Sequence, residues 1–194
     1  MCSYIIQMLS ETAGLSPCYY FCTSQDAGNV SSCILRTIAL QLLRKHLDLA
    51  SLIANEFVYR GTNCSMVQLK ILIPQLLAIV PCTRVVVDGV DECSKEGQQA
   101  ILRDLQLLCL DQTARCKILF SSRREVHIGQ KLSGKPQVLL DGRIEVEKDI
   151  CSYVKYNVRQ LHTSDEDLLH RLESILVEKA NGTYFPRRGG LLYC

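Results

Sequence analysis

Several features that define common protein classes are missing from this sequence. No stretch of about 18 apolar residues occurs, so no membrane-spanning helix is expected. The N-terminus lacks the basic segment of a secretory signal peptide. Lys and Arg together number 22 against 20 Asp and Glu, and this balance argues against a broad basic face for nucleic acid. We therefore expect a cytoplasmic protein that contacts neither nucleic acid nor membrane.

The cysteines are numerous, but they show no metal-binding pattern. None of the 11 cysteines belongs to a C-x-x-C pair or to a Cys/His cluster with zinc spacing. We interpret them as reduced thiols, most of which pack as small apolar side chains. The chain has 194 residues, 47% of them hydrophobic, and no low-complexity tract, so it is long enough to bury a core.

Short apolar runs alternate with helical periodicity along most of the chain. Buried strands are predicted at 18–22, 84–88, 117–121 and 138–140, and helices at 2–11, 32–43, 49–58, 66–79 and 101–110. Ser32 is the expected cap of the second helix, and Pro74 is expected to kink the fourth. Strands that are apolar throughout and separated by helices indicate an α/β fold with a parallel sheet covered on both faces.

The last 50 or so residues no longer show strands alternating with helices, as judged from the same hydrophobic periodicity. They contain two helical patterns, 147–161 and 165–179, with no strand between them and with Ser164 as the predicted cap of the second. Beyond Gly182 the periodicity is lost, and neither a helix nor an evident strand is predicted.

The most informative segment is the acidic turn that follows the strand at 84–88. Asp88 stands at the tip of this strand, and Asp91 and Glu92 follow after a short turn. In an open parallel sheet, ligands bind at the carboxyl ends of strands, where an acid can hold magnesium and a second acid can orient water. This is the chemistry of a Walker B motif. The alternative is an ordinary acidic turn that leads into a helix N-terminus, where carboxylates favour the helix dipole.

This segment, together with the later strand that ends in Ser121-Ser122-Arg123, resembles the NACHT NTPase domain of STAND proteins, particularly the fungal and nephrocystin-like forms. Further matches are Tyr19-Tyr20-Phe21-Cys22 before a polar loop, Gln41-Leu42-Leu43, and Ala180-Asn181-Gly182 late in the chain. The resemblance extends from Met1 to about Gly182, and the Walker B segment is its most specific part.

The resemblance implies a role for each of these residues. Asp88 would be the acid associated with magnesium, and Asp91 and Glu92 would lie near the attacking water. Arg123 would be the sensor that contacts the terminal phosphate, a task that suits the planar donors and permanent charge of a guanidinium. Without the resemblance, Arg123 and Arg124 would be interpreted as a solvated basic turn.

One element of the family is missing from the sequence. These NTPases carry a Walker A motif, G-x-x-x-x-G-K-[ST], whose backbone N–H groups bind phosphate. In fungal relatives this motif leads into a helix that resembles residues 2–6, so we expect the chain to begin just after it. The intact family would bind Mg²⁺ with ATP or GTP, and we expect this chain to bind neither.

The missing motif also has a structural consequence. In the proteins this chain resembles, the strand before the Walker A motif lies between the strands that match 117–121 and 138–140. Without it, we expect those two strands to close up or to remain roughly 9 to 10 Å apart, twice the inter-strand spacing. An exposed central edge would make the isolated chain poorly stable or prone to aggregate.

Residues 129–135 have the glycine and lysine spacing of a phosphate loop, but they do not fit the motif in other respects. Pro136 follows it and supplies neither a hydroxyl nor an N–H group, and a strand rather than a helix comes next. We do not expect this segment to bind phosphate.

The resemblance divides the chain into three parts and favours one function. Residues 1–143 would be an incomplete NACHT core, 144–182 the start of a helical segment, and 183–194 an irregular tail. The leading hypothesis is part of a signalling NTPase that oligomerises in response to nucleotide and is inactive alone. The alternative is a non-catalytic interaction module on the same fold. An unrelated hydrolase is disfavoured, because no Ser or His nucleophile occurs in a recognisable motif.

Overall fold

A computed structural model of the chain describes residues 1–25, 29–50, 65–80, 82–109, 115–140, 143–161, 163 and 165–180, and the backbone of residues 190–193. The α-helices in these ranges are α1 (Cys2–Glu11), α2 (Val30–Lys45), α3 (Met66–Ile79), α4 (Lys95–Leu108), α5 (Val126–Lys131), α6 (Ile144–Val158) and α7 (Glu166–Ala180). The strands are β1 (Ser16–Phe21), β2 (Thr83–Asp88), β3 (Lys117–Arg123), β4 (Gln137–Leu139) and β5 (Gly190–Tyr193). Short 3₁₀ turns occupy Leu47–Leu49 and Val90–Glu92.

The strands form one sheet in the order β1-β2-β3-β5-β4. β1, β2 and β3 are parallel, with Tyr19 opposite Val86, and Val86 opposite Leu119. Helices connect these strands, as the distance between parallel neighbours requires. The prediction of an α/β fold built on a parallel sheet is therefore confirmed.

The far side of the sheet differs from the prediction. β5 lies between β3 and β4 and is antiparallel to both, with Leu191 opposite Ser122 on one side and Leu139 on the other. The strands predicted at 117–121 and 138–140 therefore neither close up nor leave an open gap along this stretch. Gly190–Tyr193 belongs to the tail that was expected to be irregular. Its strand conformation depends on pairing with residues far away in the sequence, which local periodicity does not reveal.

Apolar residues pack on both faces of the sheet, but unequally. The larger cluster joins alternate strand residues such as Val85, Val87 and Phe120 to the apolar faces of α2, α3 and α4. The smaller cluster, on the opposite face, is centred on Cys2 of α1 and Val86. Tyr19 and Phe21 of β1 are exposed by 40% and 43%, so the expectation of strands buried along their whole length is wrong at this edge.

Side chains from α2 protect the outer edge of β1. The amide of Gln41 accepts from the Tyr19 N–H (2.8 Å) and donates to the Tyr19 carbonyl (3.0 Å), and Lys45 donates to the carbonyl of Pro17. Pro17 has no N–H to leave unpaired. These contacts reduce the number of free backbone groups on a strand edge, which would otherwise favour association with another chain.

The helix boundaries in the structure agree with the predicted ones where a capping residue stands directly before an apolar helical pattern. The helix at 66–79 is confirmed as α3, with Ser65 and Gln68 forming a capping box and Pro74 inside the helix. Ser32 is not a cap, because α2 begins at Val30 and Ser32 is buried inside its first turn. The helix predicted at 49–58 and the Ser164 cap fall outside the described residues.

The cysteines of the described ranges are free thiols, and those buried are Cys2, Cys18, Cys22 and Cys93. Among the residues described, no helix is both long enough and apolar enough to cross a membrane.

Candidate functional site

The acidic segment forms a tight turn at the carboxyl end of β2. Gly89 adopts the left-handed conformation with φ of +72°, which an L-residue with a side chain rarely adopts. The Glu92 N–H then bonds to the Gly89 carbonyl (2.9 Å) and closes a 3₁₀ turn. Ser94 caps α4 by accepting from the Gly97 N–H (3.1 Å). The strand, the turn and the helix thus follow one another closely in the chain. This places the acids where the parallel strands end.

Asp88 is half-buried at the end of β2, next to the first residue of α1. Its carbonyl accepts from the Cys22 N–H (2.8 Å), which holds the end of β1 beside it. The Cys2 thiol contacts both the Asp88 carboxylate and the Ser121 hydroxyl. Burial, the charge of Asp88 and the hydrogen bond to it together raise the pKa of the Cys2 thiol to about 11. Asp88 therefore accepts a hydrogen bond from a neutral thiol.

Asp91 and Arg123 are brought together across neighbouring strands. The backbone N–H of Arg123 donates to Asp91 Oδ1 (2.9 Å), and Arg123 Nε lies 3.3 Å from Asp91 Oδ2. The Asp91 side chain is only 9% exposed, whereas that of Arg123 is 48% exposed. One carboxylate therefore binds both the backbone and the side chain of Arg123, at the tip of β3. Glu92 is exposed, and its carboxylate lies close to Gly89.

Two residues that the sequence analysis did not identify support the turn. Gln98 of α4 is 5% exposed, and its Nε2 donates to the carbonyls of Cys93 (2.8 Å) and Asp91 (3.3 Å). Its Oε1 contacts Nε2 of His127, in α5. These side chains link α4 and α5 to the backbone that carries Asp91. A buried glutamine within a helical pattern gives no local signal of this role.

The carboxylates do not form a metal cluster made of protein side chains alone in the described part of the chain. No group of three or more Asp, Glu, His or Cys side chains is placed to hold a metal ion there. Asp91 is bound to Arg123, and Glu92 is exposed. Mg²⁺ that accompanies a nucleotide is usually held by one or two carboxylates together with phosphate oxygens and water, so Asp88 as its ligand stays a prediction.

The glycine-lysine segment at 129–135 does not have the structure of a phosphate loop. Its first residues are the end of α5, which stops at Lys131, and Gly134 follows in a turn with φ of +76°. It leads to β4 rather than to a helix N-terminus. The prediction that a strand follows this segment is confirmed, and the expectation that it does not bind phosphate stays a prediction.

The fold and this edge together define the class: an α/β domain with a P-loop NTPase-like parallel core that places acids and an arginine at the carboxyl ends of adjacent strands. A family model described as Nephrocystin 3, N-terminal, matches residues 1–123, and the chain belongs to this family. The matched region runs from α1 to the last residue of β3 and includes Asp88, Asp91, Glu92 and Arg123. Comparisons with curated proteins and with solved structures gave no match.

Proposed function

We propose that this chain supplies the acidic residues and the arginine of the nucleotide site of a NACHT-type signalling NTPase, and that it neither binds nor hydrolyses nucleotide by itself. The observation that carries the proposal is the contact between Asp91 and Arg123, which joins the tips of two adjacent parallel strands beside Asp88. Ligands of open parallel sheets bind at this edge. ATP or GTP with Mg²⁺ would supply the phosphoryl chemistry, and the sequence contains no Walker A motif to hold the phosphates.

The roles of the individual residues follow from their surroundings. Asp91 keeps the Arg123 guanidinium at the edge of the sheet, where nearly half of that side chain faces solvent. Asp88 lies at the tip of the neighbouring strand β2, where its carboxylate accepts from the Cys2 thiol. An acid at one strand tip and a positioned arginine at the next form half of a nucleotide site, and the proposal assigns the phosphate-binding half to a segment that carries a Walker A motif.

A nucleotide-binding experiment tests the proposal. Calorimetric titration of the 194-residue chain with Mg-ATP and with Mg-GTP should show no saturable binding. The chain should then be produced with the polypeptide that its genome encodes in frame before Met1. If that polypeptide holds a strand and a Walker A motif, the extended protein should bind, and Arg123→Ala should weaken binding. Arg124→Ala is the matched control, because Arg124 is the exposed neighbour.

Two results would contradict the proposal. Tight, saturable binding of Mg-ATP or Mg-GTP by the 194-residue chain would show that it is competent without a Walker A motif. An extended protein that contains the motif but binds equally well with and without Arg123 would remove the sensor role.

A second candidate function is a non-catalytic interaction module on the same fold, with protein partners or a second copy as its ligands. The observation that favours it is β5, which pairs with both β3 and β4 and so completes the sheet without a nucleotide-binding strand. Two results together would support this function over the first. The upstream coding sequence would contain no Walker A motif, and the chain would self-associate without nucleotide.

A further inference from the structure

A large cavity lies along the first half of β3, away from the acidic edge. Its volume is about 870 Å³, and its lining is mainly apolar. Ile5 and Leu119 line it from the face of the sheet that α1 covers, and Phe120 and Leu132 line it from the opposite face. A cavity of this size is within the range usual for small-molecule sites.

The cavity lies where the sheet is incomplete on one side of β3. β2 pairs with residues 117–120 of β3, whereas β5 pairs with residues 120–123 only. In the described sheet, residues 117–119 therefore have a strand neighbour on one side alone. Because side chains from both faces of the sheet line the cavity, an apolar group inside it would contact apolar residues on two sides.

Basic residues are gathered at one end of this cavity, where the strands begin. β3 and β4 are both antiparallel to β5 and hence parallel to each other, so their first residues lie at the same end of the sheet. Lys117 is the first residue of β3, and Lys135 stands two residues before β4. Lys131 ends α5, and its carbonyl accepts from Gln106 (3.3 Å), near the end of the helix that leads to β3. All three lysines line the cavity.

The charges of these lysines are not neutralised in the described structure. Arg84 and Arg103 also line the cavity, but both already have partners. Arg84 donates to the carbonyls of Thr83 and Arg115, and Arg103 binds Asp104. The three lysines are exposed, and none of them has a carboxylate partner within the described ranges. None of the described lining residues is acidic. Such a cavity is complementary to a ligand with an apolar chain and an anionic head.

We propose that this cavity binds a single-chain fatty acid, with the acyl chain between the two faces of the sheet and the carboxylate beside Lys117, Lys131 and Lys135. Ammonium groups donate charge-assisted hydrogen bonds to a carboxylate. Each further methylene group that enters the apolar part should tighten binding roughly fourfold. The site is separate from the acidic edge and does not depend on the proposed nucleotide function.

Calorimetric titration of the 194-residue chain with sodium dodecanoate, below the concentration at which it forms micelles, tests the proposal. A single molecule should bind per chain, and the melting temperature should rise, because a ligand that binds only the folded chain stabilises it. Decanoate is two methylene groups shorter and should bind roughly fifteenfold more weakly. Dodecanol, which has no charge, and dodecyltrimethylammonium, which has the opposite charge, should also bind more weakly than dodecanoate.

Variants of the lining residues test where the two parts of the ligand lie. Lys117→Gln, Lys131→Gln and Lys135→Gln should each weaken the binding of dodecanoate severalfold and leave that of dodecanol unchanged. Lys155→Gln is the matched control, because Lys155, like Lys131, is an exposed residue in the last turn of a helix. Leu107→Trp introduces a larger side chain at an exposed position of the lining and should weaken the binding of both ligands.

Three results would overturn the proposal. The first is no saturable binding of dodecanoate, which would leave the gap beside β3 to a strand from another polypeptide. The second is equal affinity for dodecanoate and dodecyltrimethylammonium, and the third is an equal loss of affinity in Lys131→Gln and Lys155→Gln. Arg123→Ala should leave dodecanoate binding unchanged, so a failure of this proposal is distinguishable from a failure of the nucleotide proposal.

Discussion

At the scale of single residues, Asp91 joins two neighbouring strands through one carboxylate. It follows β2 in sequence and binds the last residue of β3. The Asp91 side chain that accepts both contacts is only 9% exposed, whereas the guanidinium that completes the pair is half exposed. Solvent screens the attraction between the two charges, so the ion pair by itself contributes little to stability.

We expect Asp91→Ala to lower the free energy of unfolding by about 1 to 2 kcal/mol, because it removes a charged acceptor, itself mostly buried, from the Arg123 N–H group. Asp91→Asn keeps an acceptor and should cost less. Arg123→Ala should cost about 1 kcal/mol or less, because it removes only the half-exposed part of the pair. Urea denaturation measures all three values. Glu92→Gln is the control, since Glu92 is exposed, and a larger loss in Arg123→Ala than in Asp91→Ala would contradict this account.

At the scale of elements, Asp104 connects three helices that cover the larger core cluster. It lies in α4, is 3% exposed, and accepts from Ser31 of α2 (2.8 Å), Lys70 of α3 (2.9 Å) and Arg103 (3.0 Å). Burial alone would raise the pKa of Asp104, but the hydrogen bonds from Arg103, Lys70 and Ser31 more than offset it, so the pKa lies below its usual 3.8. The folded chain therefore keeps this acid ionised.

We expect Asp104→Ala to destabilise the chain by about 2 to 3 kcal/mol, since it leaves the buried Ser31 hydroxyl without its acceptor. The two cations reach solvent and lose less. Asp104→Asn retains an acceptor for Ser31 and should cost less, and Ser31→Ala, the control for the neutral contact, should cost about 1 kcal/mol. These values again come from urea denaturation. A change smaller than about 0.5 kcal/mol in Asp104→Ala, the size usual for surface substitutions, would contradict this role.

The charge of Asp104 also gives its contribution a pH dependence. Because the folded pKa is depressed, the stabilisation is fully present above the ordinary value of 3.8 and is lost as the pH falls through the lower folded value. The stability difference between the unmodified chain and Asp104→Asn should therefore be constant from neutral pH to about 5 and should shrink only in more acidic solution. A difference that shrinks between pH 7 and 5 would show that another group is responsible.

At the scale of the whole molecule, β5 determines how the sheet is completed. It pairs with Phe120–Arg123 of β3 and with all of β4, so these strands are joined only through it in the described sheet. Every N–H group of such an inner strand points towards one neighbour or the other. The earlier expectation that the isolated chain aggregates through an exposed central edge remains a prediction, and its outcome now depends on whether β5 stays in place.

We expect Leu191→Pro to release β5, because proline cannot donate to the ladder and is found in sheets mainly at edges and bulges. The variant should melt at a lower temperature and elute partly as larger species, since the edges of β3 and β4 would then be free to pair with another chain. Thermal denaturation and size-exclusion chromatography with light scattering measure both effects. Leu191→Val keeps a good strand former and is the control. A proline variant that melts and elutes like the parent would show that β5 does not hold the sheet together.

Much of the fold was predictable because its signals are local. The helix at 66–79 has a capping box and an apolar stripe, and the strand at 84–88 is β-branched and ends on an acid. The acidic turn was identified from spacing alone, and the structure places Asp91 against Arg123 as adjacent parallel strands allow. Gln98 and His127 were missed, because a buried polar contact between α4 and α5 leaves no periodic pattern in the sequence.

The sequence by itself determined the α/β class, the order of the strands from β1 to β4, and the position of the acids at a strand tip, because each depends on residues within one or two turns of one another. The short helix α5 was missed. Only the tertiary structure decided which strand lies between β3 and β4 and which cations surround Asp104. These features depend on contacts between segments far apart in the chain, and such contacts are set by the packing of the whole domain rather than by local periodicity.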